Sequence, residues 1–317
     1  MNTGKIYQGW ILVLACSFSL QAGQILYTTG FEASEGYDGS LPLGDQRNWL
    51  IEGSGGNGLV TNFFESFGQQ GFIGYTPPTN TAAATTIWTP INFNPAPSTN
   101  KIVKFSVKVQ LFKSTVGGDD EFRWAVYNQD AKRLFSIDFF TDSQKIYFDL
   151  EDQQAKDTGY TFDFDGSYDL VTYMDFGRNQ WTAFLNDRVI ANAQPLRLTN
   201  STALNFGDAD AVWFINNVQS PGDNFMVFDD YIISVEDLTS IPGALESLGM
   251  NQGVYSFFVH GEIGVKYAID VTSDFVSWTQ LFPGPGEVFT NTEGTFQFDD
   301  TTAPQFRLGF YRLREVR

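Results

Sequence analysis

The sequence predicts an all-β protein built as two successive sandwiches. Three observations carry that prediction. Aromatic residues make up 16% of the 317 residues, 31 of them Phe, and charged residues only 18%. Short aromatic and β-branched runs recur along the whole chain, punctuated by Gly, Asn, Asp and Ser, the residues of turns. Few windows show the 3.6-residue period of a helix. Apolar residues at 42% suffice for a real core, and the length admits one large or two modest domains.

Residues 1–23 read as a secretory leader. Lys5 supplies the positive start, residues 10–20 form an apolar run too short to span a bilayer, and Ala22 and Gly23 are small residues suited to cleavage. Val13-Leu14-Ala15-Cys16 offers a lesser alternative, a lipid anchor through Cys16. No later segment approaches ~18 consecutive apolar residues, so no membrane span is expected after the leader is removed. The expected location is extracellular or periplasmic.

A short strand at 25–27 leads to the acidic turn after Gly30-Phe31-Glu32, and Trp49 follows. Glu52–Asn57 is Gly-rich but has no phosphate-loop Lys or Ser/Thr and no following helix, so it reads as a turn. Short strands are expected at 58–64, 71–75 and 87–91. Ile102–Phe112 is the clearest strand: Val103, Phe105, Val107, Val109 and Leu111 share one face, Lys104, Ser106, Lys108 and Gln110 the other. Hairpins follow at 122–127, 134–140 and 145–150, and a meander at 169–176, 180–185 and 188–191. Strands at 211–215 and Phe225–Glu236 close the series. About ten to thirteen strands over about 210 residues fit a two-sheet jelly roll spanning 24–238. Residues 239–250 read as a linker or one helical turn. Residues 251–317 then carry five or six strands, at 255–259, 265–271, 277–281, 294–298 and 306–313, enough for a small second sandwich.

Phe225–Glu236, FMVFDDYIISVE, carries the sharpest chemistry. Side chains alternate faces along a strand. The face of Phe225, Val227, Tyr231, Ile233 and Val235 is the more consistently apolar, which places Asp229 inside and Asp230 outside. A buried carboxylate needs a cation, a metal or N–H donors.

The formal net charge of −18 repels phosphate backbones and excludes nucleic acid as the natural partner. It suits either simple solubility or calcium sites. With one Cys and one His there is no disulfide framework and no Cys/His zinc site. A Ser-His-Asp triad would have to use His260, which reads as a turn-edge residue at a strand end before Gly261.

Three segments in order carry a resemblance: Gly30-Phe31-Glu32 with Trp49 and the Gly-rich turn, the hairpin of residues 181–191 (WTAFLNDRVIA), and Phe228-Asp229-Asp230-Tyr231. Together they resemble concanavalin A-like and laminin-G-like jelly-roll domains, over roughly 24–238, with Asn186-Asp187 where many members have a Gly-containing turn. The Phe31-Glu32 and Phe228-Asp229-Asp230 brackets are also similar to jelly-roll carbohydrate-binding modules. That similarity implies a structural Ca2+ held by Asp229, Asp230 and Glu32. The tail, Gly261 to Trp278 and then Phe310-Tyr311-Arg312-Leu313, is similar to a small module of secreted verrucomicrobial and planctomycete proteins.

Sugar binding on such folds uses exposed aromatic rings with polar neighbours. Trp124 and Trp181 lie in alternating strands and are expected in the core. Trp88, flanked by Thr and Pro, and Trp49 are the candidate ligand-binding residues. Glycosidases of this fold use paired carboxylates, but the Glu-x-Asp-x-x-Glu strand of the related glucanases is absent, and Glu121, Glu151 and Asp152 sit near turns. The His/Tyr/Gln set of jelly-roll lyases is also absent. The expected function is therefore non-catalytic binding of carbohydrate or a cell-surface glycan. The alternative is a structural or adhesion component without a small ligand, and a glycoside hydrolase ranks below both. Oligomeric state is not readable.

Overall fold

A computed structural model describes residues 23–64, 67–79, 82–95, 102–151, 153–164, 166–303 and 309–316. Residues 1–22, which hold Cys16 and most of the expected leader, and Asp152 lie outside the described residues. The chain divides into two compact units, one ending at Thr239 and the other starting at Ser240. No helix among the described residues is long and apolar enough to cross a membrane.

The larger unit is a two-sheet antiparallel jelly roll. Its first sheet contains β1 (Gln24–Thr29), β3 (Asn57–Thr61), β4 (Gln69–Gly74), β6 (Ile102–Phe112), β11 (Ser167–Asp175), β12 (Gln180–Leu185), β13 (Arg188–Pro195) and β15 (Phe225–Glu236). Seven of these run in the order β13-β12-β11-β6-β15-β4-β3, and β1 also pairs with β15. The second sheet contains β2 (Leu50–Glu52), β5 (Ala84–Trp88), β7 (Glu121–Tyr127), β8 (Arg133–Phe140), β9 (Lys145–Leu150), β10 (Lys156–Thr161) and β14 (Asp208–Phe214). Their order is β10-β9-β8-β7-β14-β5-β2. Strands distant in sequence, β6 with β15 and β7 with β14, lie side by side at the centre of each sheet.

The alternating residues of each sheet fill the space between them. Val103, Phe105, Val107, Val109 and Leu111 of β6 are all buried, as their period predicts. From the second sheet come Phe122, Trp124 and Val126 of β7 and Phe135, Ile137 and Phe139 of β8. Phe135 stacks on Trp181 at 3.9 Å, and Trp124 meets Phe228 edge-on at 5.2 Å. Such ring pairs join the sheets more firmly than area burial alone.

β15 does not keep one phase along its length. It pairs with β4 from Phe225 to Phe228 and with β1 from Tyr231 to Val235. Between those partners its register with β6 shifts: Asp229 lies opposite Lys108, and Ile232 opposite Ser106. The extra residue is a bulge. Asp230 takes it up at φ 48, a left-handed conformation that Asp tolerates better than most residues. Met226 and Phe228 therefore face the core before the bulge, and Tyr231 and Ile233 after it. This corrects the single alternating face expected from the sequence. Asp229 is buried, but on the side of the first sheet away from the core cluster.

The smaller unit has a three-stranded sheet, β16 (Ala244–Asn251), β17 (Val254–His260) and β21 (Thr295–Asp300). Its second sheet joins β18 (Lys266–Thr272), β19 (Thr279–Phe282), β20 (Phe289–Thr290) and β22 (Phe310–Glu315). Tyr255, Phe257, Tyr267, Ile269 and Tyr311 centre its core. β16 corrects the expected linker at 239–250. Its ladder with β17 is broken between Ser247 and Gly249, and Gly249 sits at φ 95. The bulge and the largely solvent-facing side chains erase the alternation that marks a strand.

Candidate functional site

The polar face of the second sheet is built by the same alternation that builds the core. β7 reads EFRWAVY: Phe122, Trp124 and Val126 point inward, so Glu121, Arg123, Ala125 and Tyr127 point away. On β8, Ser136 and Asp138 point away. On β9, Tyr147 and Asp149 do so, and on β14, Asp208, Asp210 and Val212. Register aligns them in rows across the sheet. One row runs Tyr147, Asp138, Arg123, Val212, Thr86, and the next Asp149, Ser136, Ala125, Asp210. Trp88 shares the face of Thr86 at the end of β5, opposite the exposed Leu50. It is partly exposed.

Side chains on a face turned from the core are ordinarily solvated. Here Glu121, Ser136, Asp138, Asp149 and Asp210 are all buried, Asp138 to 1% exposure and Asp210 to 6%. Two guanidinium groups lie among them. Arg123 donates through Nε to Glu121, lies 3.7 Å from Asp138, and sits 4.8 Å over the Phe214 ring. Arg133 pairs with Asp149 at 3.3 Å and donates to the Glu151 carbonyl. Even so, both oxygens of Asp138, Oδ1 of Asp149, Oδ1 of Asp210 and the Ser136 hydroxyl have no hydrogen-bond partner. Burial pushes the Asp138 carboxyl up to about 7, with Arg123 opposing the rise. Burial also raises Glu121, Asp208 and Asp210, and Asp208 adds repulsion to Asp210.

Several other buried carboxylates are satisfied. Asp120 accepts from Trp213 Nε1 at 3.1 Å, from Gly222 N at 2.9 Å and from Asn216 N at 3.1 Å. Asp175 pairs with Arg178 at 2.7 Å, and Asp270 accepts from Arg312 at 2.9 Å and Arg314 at 2.8 Å. These hold the fold. Buried groups left without partners call for an explanation, and shifted carboxyls gathered on one face mark a candidate functional site.

Of the residues singled out from the sequence, Trp88 lies on this face and Trp49 does not. Trp49 is buried in the core, where its ring lies 5.3 Å from Tyr231 and 5.6 Å from Phe31, and its Nε1 donates to the Tyr27 and Tyr37 hydroxyls at 3.1 Å. Its role as a ligand-binding residue is therefore corrected: the residue is a structural centre. Asp230 and Glu32 both act on the charge of Asp229, but the three carboxylates are not gathered as a metal site. Asp229 Oδ1 accepts from Asp230 N at 2.7 Å, and Glu32 Oε1 accepts from Gln69 N at 3.2 Å. Burial pushes Asp229 up to about 7, and the charges of Asp230 and Glu32 add to it. No group of three His, Cys, Asp or Glu among the described residues is arranged to hold a metal ion. His260 is buried at the end of β17 beside Thr295 and Glu246, and burial lowers its pKa.

Glu121 was visible in the sequence but lacked a linear partner pattern. Asp138, Asp149, Asp208 and Asp210 had a usable signal: adjacent strands that each carry acidic residues in phase opposite to their aromatic ones. Glu151, by contrast, ties a turn, accepting from Leu198 N and the Thr202 hydroxyl.

The fold and this face define a jelly-roll sandwich protein with a polar sheet surface. No protein-family model matches the chain, and no curated protein does. Solved structures with a similar outline include a sialidase, at 7% identity and a TM-score of 0.48 over 68% of this chain. The chain spans 19% of that sialidase's length. A GH131 beta-glucanase catalytic domain from Podospora anserina is similar at 12% identity and TM-score 0.45, covering 68% of this chain and 98% of its own. Lectin II from Ulex europaeus is similar at 10% identity and TM-score 0.44, covering 69% and 100%.

Proposed function

We propose that the chain is a secreted, non-catalytic glycan-binding protein whose binding surface is the polar face of the second sheet. One observation carries the reading: a partly exposed Trp88 shares a sheet face with buried polar groups that lack partners. An aromatic platform beside hydrogen-bonding groups suits a sugar ring, which offers an apolar face and a rim of hydroxyls. Buried oxygens that lack partners gain most from a ligand that supplies donors.

A glycan array followed by calorimetry tests this. Trp88→Ala is expected to weaken the strongest glycan about tenfold, equivalent to ~1.4 kcal/mol. Silence across neutral, acidic and basic glycans would instead support a structural or adhesion component.

A hydrolytic reading has its own support, a carboxyl raised to about 7 at Asp138 beside Glu121. It requires reducing-end release from the bound glycan that Asp138→Asn abolishes while binding persists. Binding without turnover is the expected result.

A structural calcium at Asp229, drawing on Asp230 and Glu32, is a separate proposal. Its support is the buried carboxyl of Asp229 with the negative charges of Asp230 and Glu32 acting on it, and binding would have to draw the three together. A ligand bound only by the folded state at a hundred times its Kd adds ~2.7 kcal/mol. The melting temperature should then rise by several degrees in millimolar calcium over chelator. Coincident melts would remove the calcium.

A further inference from the structure

We propose that the ligand of the second-sheet face is a cationic glycan, one whose sugar rings carry free amines; this rests on the glycan-binding reading above. The first support is the balance of charge. Glu121, Asp138, Asp149, Asp208 and Asp210 share the face with Arg123 and Arg133. Both arginines are already engaged, Arg123 shared between Glu121 and Asp138 and Arg133 with Asp149. Lys145, on the same face of β9, is drawn to Asp157 at 2.8 Å. No cationic side chain among the described residues forms an ion pair with Asp208 or Asp210.

The second support is independent of the count. Asp138 and Asp210 are more than nine-tenths buried, yet both oxygens of Asp138 and Oδ1 of Asp210 accept no hydrogen bond. An ammonium group has three N–H donors and a positive charge, and so meets both deficits at once. A hydroxyl-only sugar offers neutral donors and brings no cation to Asp208 and Asp210. A uronic or sulfated sugar adds repulsion. Trp88, on the same face, distinguishes a sugar from a bare cation, because a pyranose ring can stack there while its amine reaches toward the carboxylates. The net charge of −18 draws such a ligand toward the protein from a distance.

The test compares three matched β-1,4 oligosaccharides, of glucosamine, of N-acetylglucosamine and of glucose, with oligolysine as a fourth probe, all near pH 6 by calorimetry. The glucosamine oligomer is expected to bind at least tenfold more tightly than either neutral oligomer. Asp138→Asn and Asp210→Asn, each close in shape to the native residue, should remove most of that preference, and melting curves establish that the variants are folded. Calorimetry in two buffers of different ionisation heat should show proton release with the glucosamine oligomer, because the raised carboxyls ionise as the amine arrives. Equal or tighter binding of a neutral oligomer would overturn the cationic preference and leave glycan binding standing. Binding of no oligosaccharide would overturn both. Oligolysine binding as tightly as the glucosamine oligomer, unaffected by Trp88→Ala, would overturn the sugar and point to a basic peptide.

Discussion

Arg123→Met is expected to destabilise the larger sandwich by about 3–5 kcal/mol near pH 8, the usual cost of leaving a buried charge without its partner, and by far less near pH 5. Arg123 is the cation that Glu121 and Asp138 share. In the native protein burial already lifts Asp138 to about 7 from its ordinary 3.8. Removing the guanidinium lifts both carboxyls further. The sign follows from proton linkage. Between the unfolded and folded pKa values the folded state binds more protons than the unfolded state, so stability falls as pH rises through that window. Near pH 5, inside that window, the folded Asp138 carboxyl is largely protonated in native and variant protein alike, so the loss of Arg123 matters little. Above it the folded variant must hold ionised carboxylates without their cation. Urea titrations of native and variant protein at the two pH values measure the difference. An equal loss at both would show that Arg123 acts by packing on Phe214, not by charge.

Trp49→Ala should cost about 3–5 kcal/mol at any pH, a fall in melting temperature of roughly 10 °C for a domain of this size. The indole fills the space between Phe31, Tyr37, Phe228 and Tyr231, and its N–H holds two tyrosine hydroxyls. Truncation leaves a cavity lined by aromatic rings that cannot collapse without moving β15. Trp49→Phe, which keeps most of the volume, should recover more than half of the loss. Neither variant should change the affinity of the folded protein for its glycan. A large fall in affinity with little loss of stability would return Trp49 to the binding surface.

These two residues also show how much the sequence could reveal. Ile102–Phe112, Lys145–Leu150, Gln180–Leu185 and Phe225–Glu236 are strands with the bounds that alternation and turn residues indicate. Local pattern suffices where a strand has one apolar face and clear turns. β10 (KDTGYT) escaped because it is a polar edge strand with no buried stripe. Trp49 misled because a tryptophan beside a loop looks the same whether its ring turns in or out. The polar face was hidden for a different reason. Arg123 and Asp138 lie opposite each other only through the β7–β8 register, and Val212 joins them only through the long connection to β14. No spacing along the chain encodes that row, and none reports that its one carboxylate, Asp138, is buried.

The bulge at Asp230 gives the closing strand the grammar of a frameshift. Its twelve residues are read in one phase against β4 and in the other against β1. One surplus residue keeps both halves in sense. Its deletion would leave every downstream side chain chemically intact but send Tyr231 and Ile233 to the wrong face. Asp230 is therefore held in place less by anything its own carboxylate does than by the meaning of all the residues that follow it.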